Sequence, residues 1–501
     1  MVFSSLEFIY LFMPPVLLGF FLFRYLRMEG AIIWWLITAS FAFYAWWSPI
    51  HLLLLLASVG ANFSIHRYLE INRSRAVLIA GIAGNLALLA WFKYADFLLE
   101  NVSLLVGGKS EALGIVLPLA ISFFTFQQIS FLLDTWNNKI ERCDFKRYVL
   151  FVTFFPQLIA GPIVLQKDTI PQFRLSNFMS RTGLNLMVGL TLFGIGLFKK
   201  IVLADGIAPV ANAVFGAVDA GQAVPMETAW LGALAYTFQI YFDFSGYCDM
   251  ALGIARMFGI KLPINFNSPY KALSISEFWR RWHITLSRFL RDYLYIPLGG
   301  NRSGLLGRHG NLMATMLLGG LWHGAGWNFV IWGGLHGGYL VINHLWREIV
   351  AQHGLQTLLP RTVRIIASWL LTMMAVIIAW VFFRAETFAG ALSLLTAMFV
   401  PAEISYRSVF AGTTIDPSFA VFSIAMMFLI VTSLPNSIEL TRRYQPVIGT
   451  MKELAVNSLE LSSRLWRPTA GWGTVCSIGG LIALVQLYRL NDMTEFIYFN
   501  F

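Results

Sequence analysis

Apolar runs of ~18–20 residues, the length that crosses a bilayer as a helix, recur along the whole chain. They fall near 6–25, 30–48, 50–66, 76–95, 114–133, 182–199, 228–254, 311–345, 363–384, 419–435 and 471–489. In hydrocarbon each backbone N–H and C=O must be satisfied within its own segment, so runs of this length are helices. Hydrophobic residues make up 57% of the 501 residues and charged residues 12%, against roughly 45–50% and 25% in soluble domains. The expected fold is all-α: a polytopic membrane protein of about 11 or more spans, organised as a single membrane domain over 1–501. The run 311–345 is one long span or a broken pair. No basic stretch precedes Phe8–Tyr25, so that run reads as the first span and not as a cleaved signal peptide.

Loop charges orient the spans. Arg24 and Arg27 follow the first, Arg67, Arg73 and Arg75 the third, and Lys139, Arg142, Lys146 and Arg147 the fifth, while 47–51 carries no Lys or Arg. The positive-inside bias puts the N-terminus outside and these basic loops in the cytoplasm. The segment 148–166 breaks the alternation. It contains Pro156 and Gly161-Pro162 and is flanked on both sides by cations, Lys146 and Arg147 before it and Lys167 and Arg174 after it. A re-entrant hairpin keeps both flanks inside, and irregular backbone at depth is tolerated where protein covers it.

Residues 256–310 hold nine Lys or Arg and two acids, in a chain of net charge +10. This segment is expected in the cytoplasm. The overall charge follows from the positive-inside bias and does not call for nucleic acid. Within it Ser274-x-x-Glu277 has the form of a capping box. At 100° per residue, Phe278, Trp279, Trp282, Leu286, Phe289, Leu290 and Tyr293 share one face, and Arg280, Arg281, Ser287, Arg288, Arg291 and Asp292 the other. That predicts one interfacial amphipathic helix lying against membrane lipids, with His283 at the border of its two faces.

Two histidines are candidates for chemistry. His323 is the ionisable side chain in the glycine-rich run Leu317-Leu-Gly-Gly-Leu-Trp-His-Gly-Ala-Gly-Trp-Asn-Phe-Val-Ile-Trp332. A protonatable group in hydrocarbon is expensive and normally faces a protein-lined cavity. A neutral imidazole there can take a proton from an attacking hydroxyl or thiol. The bland reading is a histidine hydrogen-bonded between helices, with glycines that serve packing. His283 is bracketed by arginines, which hold phosphate bidentately but are equally expected on any cytoplasmic amphipathic helix. Tyr236, Gln239, Asp243 and Tyr247 share one helical face, with Ser245 and Asp249 beside it; this face ties helices together or lines a polar tunnel. Cys143, Cys248 and Cys476 are scattered and lack metal spacing, so neither a disulfide framework nor a metal site is expected. No nucleophile elbow or phosphate-binding loop occurs.

Four runs, Tyr241-Phe-Asp-Phe-Ser-Gly-Tyr-Cys-Asp-Met-Ala251, Glu277-Phe-Trp-Arg-Arg-Trp-His283, Leu290-Arg-Asp-Tyr-Leu-Tyr-Ile296 and Leu317-Leu-Gly-Gly-Leu-Trp-His-Gly324, resemble the membrane-bound O-acyltransferase family. They are most similar to its bacterial alginate O-acetyltransferase branch. Tyr44-Ala-Trp-Trp47, Phe92-Lys-Tyr-Ala95 and Phe154-Phe-Pro-Gln-Leu-Ile-Ala-Gly-Pro162 resemble it too. The likeness is strong over 1–345, the core with the motifs, whereas 346–501 matches only as transmembrane helices. The resemblance implies a helical bundle with re-entrant and interfacial helices around a central tunnel. It implies that His323 and His283 are the catalytic positions. Arg280, Arg281, Arg288, Tyr241, Asp243, Ser245, Asn265, Trp322 and Asn328 are the candidates for binding substrate or donor. No bound cofactor is expected, and acetyl-CoA is the implied co-substrate. In this branch the acetyl group crosses the bacterial inner membrane to a periplasmic SGNH-type acetyltransferase beside a polysaccharide synthesis and export complex. Alginate, cellulose and peptidoglycan systems share such a component. The reading from another class is a transporter of a lipid-linked sugar or polymer, which would show matching broken helices in two halves; the histidine motifs lie only in the second half.

Overall fold

The structure is a computed structural model and describes residues 1–501 except 109–110, 141–142, 303, 355–359, 402–406, 411–415, 450–465, 490–495 and 498–501. Arg142, among the loop cations above, lies outside the described residues. Among the described residues the architecture is all-helical. The one β-type pairing is an isolated parallel bridge between Pro263 and Ile448.

Among the described residues six helices are long and apolar enough to cross a bilayer: Glu7–Tyr25, Pro49–Asn72, Arg75–Val106, Thr182–Asp219, Arg361–Arg384 and Ala470–Tyr488. The bent pair Pro417–Ser433 and Ser437–Tyr444 raises this to seven. Besides the run 311–345, which is not among these spans, the count falls short of the expected 11 for two physical reasons. Glu29–Ala45 and Ile121–Trp136 are only 17 and 16 residues long. Met226–Met257, at 32 residues, is long enough but carries Glu227, Asp243, Asp249 and Arg256. A helix that keeps its polar groups inside a protein reads as less apolar than one that faces lipid.

The chain divides into two compact units. The first comprises Met1–Leu197, Tyr247–Ile264 and Leu440–Asn500. Phe3, Phe8, Phe43 and Phe155 form an aromatic core there, with rings 5.1–6.3 Å apart. Buried amides tie its helices: Asn85 donates to the side-chain oxygen of Asn62 at 2.7 Å, and Asn62 donates to Gln128. Gly189 and Gly253 allow two backbones to touch, since a Cβ on either would lie 2.5–2.6 Å from the other's carbonyl oxygen. The segment 148–166 starts as the helix Phe145–Thr153, capped by Asp144, and breaks at Phe154 into short pieces that are all buried. Arg147 at its entrance donates to the carbonyl of Phe173 beyond its exit at 3.1 Å. Lys139, Arg147, Lys167 and Arg174 line one cavity of about 370 Å³. Both basic flanks therefore meet on one side, as a re-entrant segment requires.

The second unit comprises Phe198–Gly246 and Asn265–Glu439. Its main feature is a helical hairpin. The run 311–345 is a broken pair: Gly304–His323 ends on the histidine, Gly324–Ala325–Gly326 turns the chain, and Trp327–His353 runs back. The arms are antiparallel and close, because glycines face backbone. A Cβ on Gly320 would lie 2.2 Å from the carbonyl oxygen of Phe329, one on Gly333 2.4 Å from that of Met316, and one on Gly337 2.7 Å from the sulfur of Met313.

The basic segment differs from the single amphipathic helix expected of it. It forms two seven-residue helices, Ile275–Arg281 and Ile284–Leu290, joined through His283 in the left-handed region at φ +43°. Half of the capping box is present: Ser274 accepts from the Glu277 N–H at 3.2 Å, while Glu277 accepts from the N–H of Leu273, one residue before the cap, at 2.9 Å. The break overturns the face assignment beyond Arg281, since one left-handed residue resets the helical phase. It has a local cause. Asn265 takes up the backbone on the far side, its carbonyl accepting from Ile284 N at 3.0 Å and its side chain from Thr285 N at 3.3 Å.

Candidate active site

His323 is 2% exposed and caps the hairpin tip. Aromatic rings surround it, all three in T-shaped contact: Trp322 at 4.9 Å, Trp332 at 5.0 Å and Phe383 at 5.2 Å. His283, expected at the border of a surface helix, is instead fully buried. The kink turns its ring inward, perpendicular to that of Phe244 at 4.8 Å and toward Trp322 at 6.3 Å. The two imidazoles lie 6.4 Å apart between ring centres. That spacing leaves room for one heteroatom within hydrogen-bond reach of both.

Asn265 sets the protonation of His283. Its Oδ1 lies 3.3 Å from Thr285 N, 2.9 Å from Thr285 Oγ1 and 3.1 Å from His283 Nδ1. A backbone N–H can only donate, so the atom facing it is the amide oxygen and not the NH2. The same oxygen must then accept from His283, which puts the imidazole proton on Nδ1. Nε2 carries a lone pair and can act as a base or as a hydrogen-bond acceptor. Burial in apolar surroundings pushes this imidazole down to about 3, so it stays neutral at cellular pH.

The other predicted positions divide. Trp322 packs on His323 and Asn265 holds His283, so both belong with the histidines. Tyr241 lies in a neighbouring aromatic cluster, 5.2 Å from Tyr270 and 6.4 Å from Trp282. Asp243 is buried and engaged elsewhere: Lys200 bridges it at 2.7 Å and Asp205 at 2.9 Å. That three-charge cluster ties helices, as a buried carboxylate must be paired. Ser245 is buried. Asn328 donates to the Ala385 carbonyl at 2.8 Å, fastening the hairpin to the end of Arg361–Arg384. Arg281 does not face outward as the single-helix reading expects. It is 8% exposed, grips Glu277 at 2.8 and 2.9 Å, and donates to the Asn267 carbonyl at 3.1 Å. Arg280 and Arg288 are exposed.

One residue escaped the sequence reading. His336 is fully buried on the returning arm, and the Trp279 indole donates to its Nδ1 at 3.3 Å. Trp332 lies between it and His323, 4.8 Å from the first and 5.0 Å from the second. The criterion that singled out His323, an ionisable group in an apolar run, applies equally to Leu335-His336-Gly337.

Apolar spanning helices, a re-entrant segment and two buried imidazoles, one at the hairpin tip and one at the kink of the basic pair, describe a multi-pass membrane protein with polar groups gathered in its interior. Residues 137–384 match the membrane-bound O-acyltransferase family. The chain is 45% identical to the peptidoglycan O-acetyltransferase of Helicobacter pylori over 428 residues, 79% of this chain and 80% of that one. It is 42% identical to the probable alginate O-acetylase of Pseudomonas aeruginosa over 409 residues (80% and 75%). With that of Azotobacter vinelandii the identity is 40% (80% and 78%). The chain belongs to the membrane-bound O-acyltransferase family and is an acyltransferase of multi-pass membrane type. A sugar or polymer transporter, the reading from another class, has no support in these relatives.

Proposed function

We propose that this enzyme takes an acetyl group from acetyl-CoA in the cytoplasm and carries it across the bacterial inner membrane. A periplasmic SGNH-type acetyltransferase would then pass it to hydroxyls of a secreted polysaccharide of alginate or cellulose type. The observation that carries the chemistry is the pair of buried imidazoles 6.4 Å apart, in a chain whose relatives bear the names of O-acetyl-transferring enzymes. His323 takes the proton of the acceptor hydroxyl as its oxygen attacks the thioester carbon. The tetrahedral intermediate collapses, the C–S bond breaks, and the imidazolium returns the proton to the departing thiolate. The C-terminal end of the helix Gly304–His323 carries partial negative charge, which favours that transient imidazolium. His283, neutral and with its proton held by Asn265, offers only a lone pair. It orients the acceptor by taking a hydrogen bond and does not polarise the thioester carbonyl.

Peptidoglycan is the second acceptor reading, favoured by the Helicobacter pylori relative at 45% identity. Purified protein in liposomes, given acetyl-labelled CoA and the periplasmic partner, should release CoA and transfer label to that partner. His323→Ala should lower the rate by ~10²–10⁴, the value of one general base, at unchanged membrane levels. Undiminished transfer by well-expressed His323→Ala would refute the catalytic assignment. Label appearing in isolated polysaccharide or in peptidoglycan of the intact strain separates the two acceptors.

A further inference from the structure

The first unit contains a cavity of about 510 Å³ lined by Gln172, Asn177, Ser180, Arg181, Asn185, Arg256, Gly259, Lys261, Arg443, Tyr444 and Gln445. Its walls are pinned by their own amides. Gln172 donates to the Lys261 carbonyl and accepts from the Lys261 N–H, both at 2.9 Å. Asn177 donates to the Gln172 carbonyl at 3.2 Å and Asn185 to that of Ser180 at 2.9 Å. Gly259, at φ +80°, lets two loops meet, because a Cβ there would lie 2.6 Å from the Asn177 carbonyl oxygen. With the amides engaged in the walls, four cations remain: Arg181, Arg256, Lys261 and Arg443.

Among the described residues no carboxylate lines this cavity, and no ion pair involves any of the four. The other basic cavity of the unit is different: there Arg147 is paired with Glu29 and Asp144, and Lys139 with Asp134. Arg256 is only 5% exposed, yet its side chain's one hydrogen bond among the described residues goes to the Tyr444 carbonyl at 3.3 Å, and its buried Nε has no partner. Burial, then the charges of Arg256 and Arg181, push the Lys261 ammonium below its ordinary value. Like charges gathered without a counter-charge are costly unless an anion completes them.

We propose that this cavity is a binding site for a phosphate ester, its phosphates held by Arg181, Arg256, Lys261 and Arg443. Guanidinium forks match phosphate oxygens bidentately. The volume exceeds what one inorganic phosphate fills and falls in the ~300–1,000 Å³ range of pockets for small organic ligands. Two sources share this chemistry: a soluble phosphorylated molecule, such as the nucleotide part of a thioester donor, and the headgroup of an anionic lipid. No arginine of the broken basic helices lines this cavity, and there Arg281 is already bound to Glu277.

The test is binding to the full-length protein in phosphatidylcholine nanodiscs, with pyrophosphate and adenosine 3′,5′-bisphosphate as probes. Saturable binding is expected, weakened about tenfold or more for each cation lost in Arg181→Gln/Lys261→Gln, and retained in Lys167→Gln from the other cavity. Arg181 is exposed and Lys261 half-buried, so the variant should fold; its melting temperature verifies this. Discs containing phosphatidylglycerol distinguish the sources. Unchanged probe binding there indicates a soluble ligand. Loss of probe binding, with less phosphatidylglycerol retained by the variant, indicates a headgroup. Absence of saturable probe binding in phosphatidylcholine, or binding that the double variant leaves intact, overturns the proposal. Since binding is read without turnover, the outcome is independent of whether His323 carries acyl transfer.

Discussion

At His283 a single amide decides which ring nitrogen carries the proton. The oxygen of Asn265 serves Thr285 N, Thr285 Oγ1 and His283 Nδ1 together, so Asn265→Ala strands three donors. Each buried unsatisfied group costs about 1–3 kcal/mol. Acyl transfer should drop roughly tenfold to a hundredfold, with a larger effect on kcat than on the donor KM, because in the proposed mechanism His283 orients the acceptor. A change confined to donor KM would contradict the role given to this pair. Burial of the neutral ring also has a thermodynamic signature. Its folded value is about 3, while an unfolded histidine titrates near ~6.5. Above the unfolded value the contribution to stability is fully present. As pH falls below it, the unfolded chain binds a proton that the folded one refuses, and stability declines by about 1.4 kcal/mol per pH unit. Unfolding of the purified protein between pH 7.5 and 5.0 should show that slope in excess of His283→Gln. Equal slopes would mean that the ring is hydrated or charged in the fold.

At the scale of elements, the hairpin and the kinked pair are both set by close backbone contacts. The hairpin arms approach through Gly320, Gly333 and Gly337, while Gly338, one residue on, faces open space. Gly333→Ala should therefore cost about 1–3 kcal/mol through overpacking and displace Trp332 and His323 with it, lowering both melting temperature and activity. Gly338→Ala should be neutral or slightly stabilising, since alanine gains up to ~1 kcal/mol over glycine in a helix. Equal melting temperatures for the two variants would show that the arms are not held at backbone contact. Ser274, which caps the first basic helix, is worth ~0.5–2 kcal/mol by the usual measure of such caps. Its loss would loosen the entry to His283.

For the whole molecule, loop charge remains the strongest statement about orientation. The segment 256–310 carries most of the net charge of +10 and is expected in the cytoplasm, together with the basic flanks of the re-entrant segment. A cysteine replacing exposed Asn301, in a background with Cys476 changed to serine, should resist impermeant thiol reagents applied from the periplasm. Cys143 and Cys248 are buried and should stay silent. Ready labelling of Asn301→Cys in spheroplasts would reverse the topology and the side proposed for acetyl-CoA entry.

The sequence by itself determined the solvent, the fold class and the family. Long apolar runs allow only helices in hydrocarbon, and four short motifs around His283 and His323 are specific enough to name the relatives. It also marked 148–166 as re-entrant, since proline, glycine and basic flanks are local signals. It did not determine the phase of 274–293. Helical periodicity assumes one continuous helix, and the left-handed turn at His283 depends on Asn265, eighteen residues away, taking up the backbone. Nor could it tell a long span from a hairpin at Gly324–Gly326, or show that Asp243 pairs with Lys200 and that Arg281 is buried on Glu277. Those outcomes rest on contacts between residues far apart in the chain, which pattern and composition do not encode. Tertiary packing decided which polar groups are taken up by the fold and which, like the cations around Arg256, remain to meet a ligand.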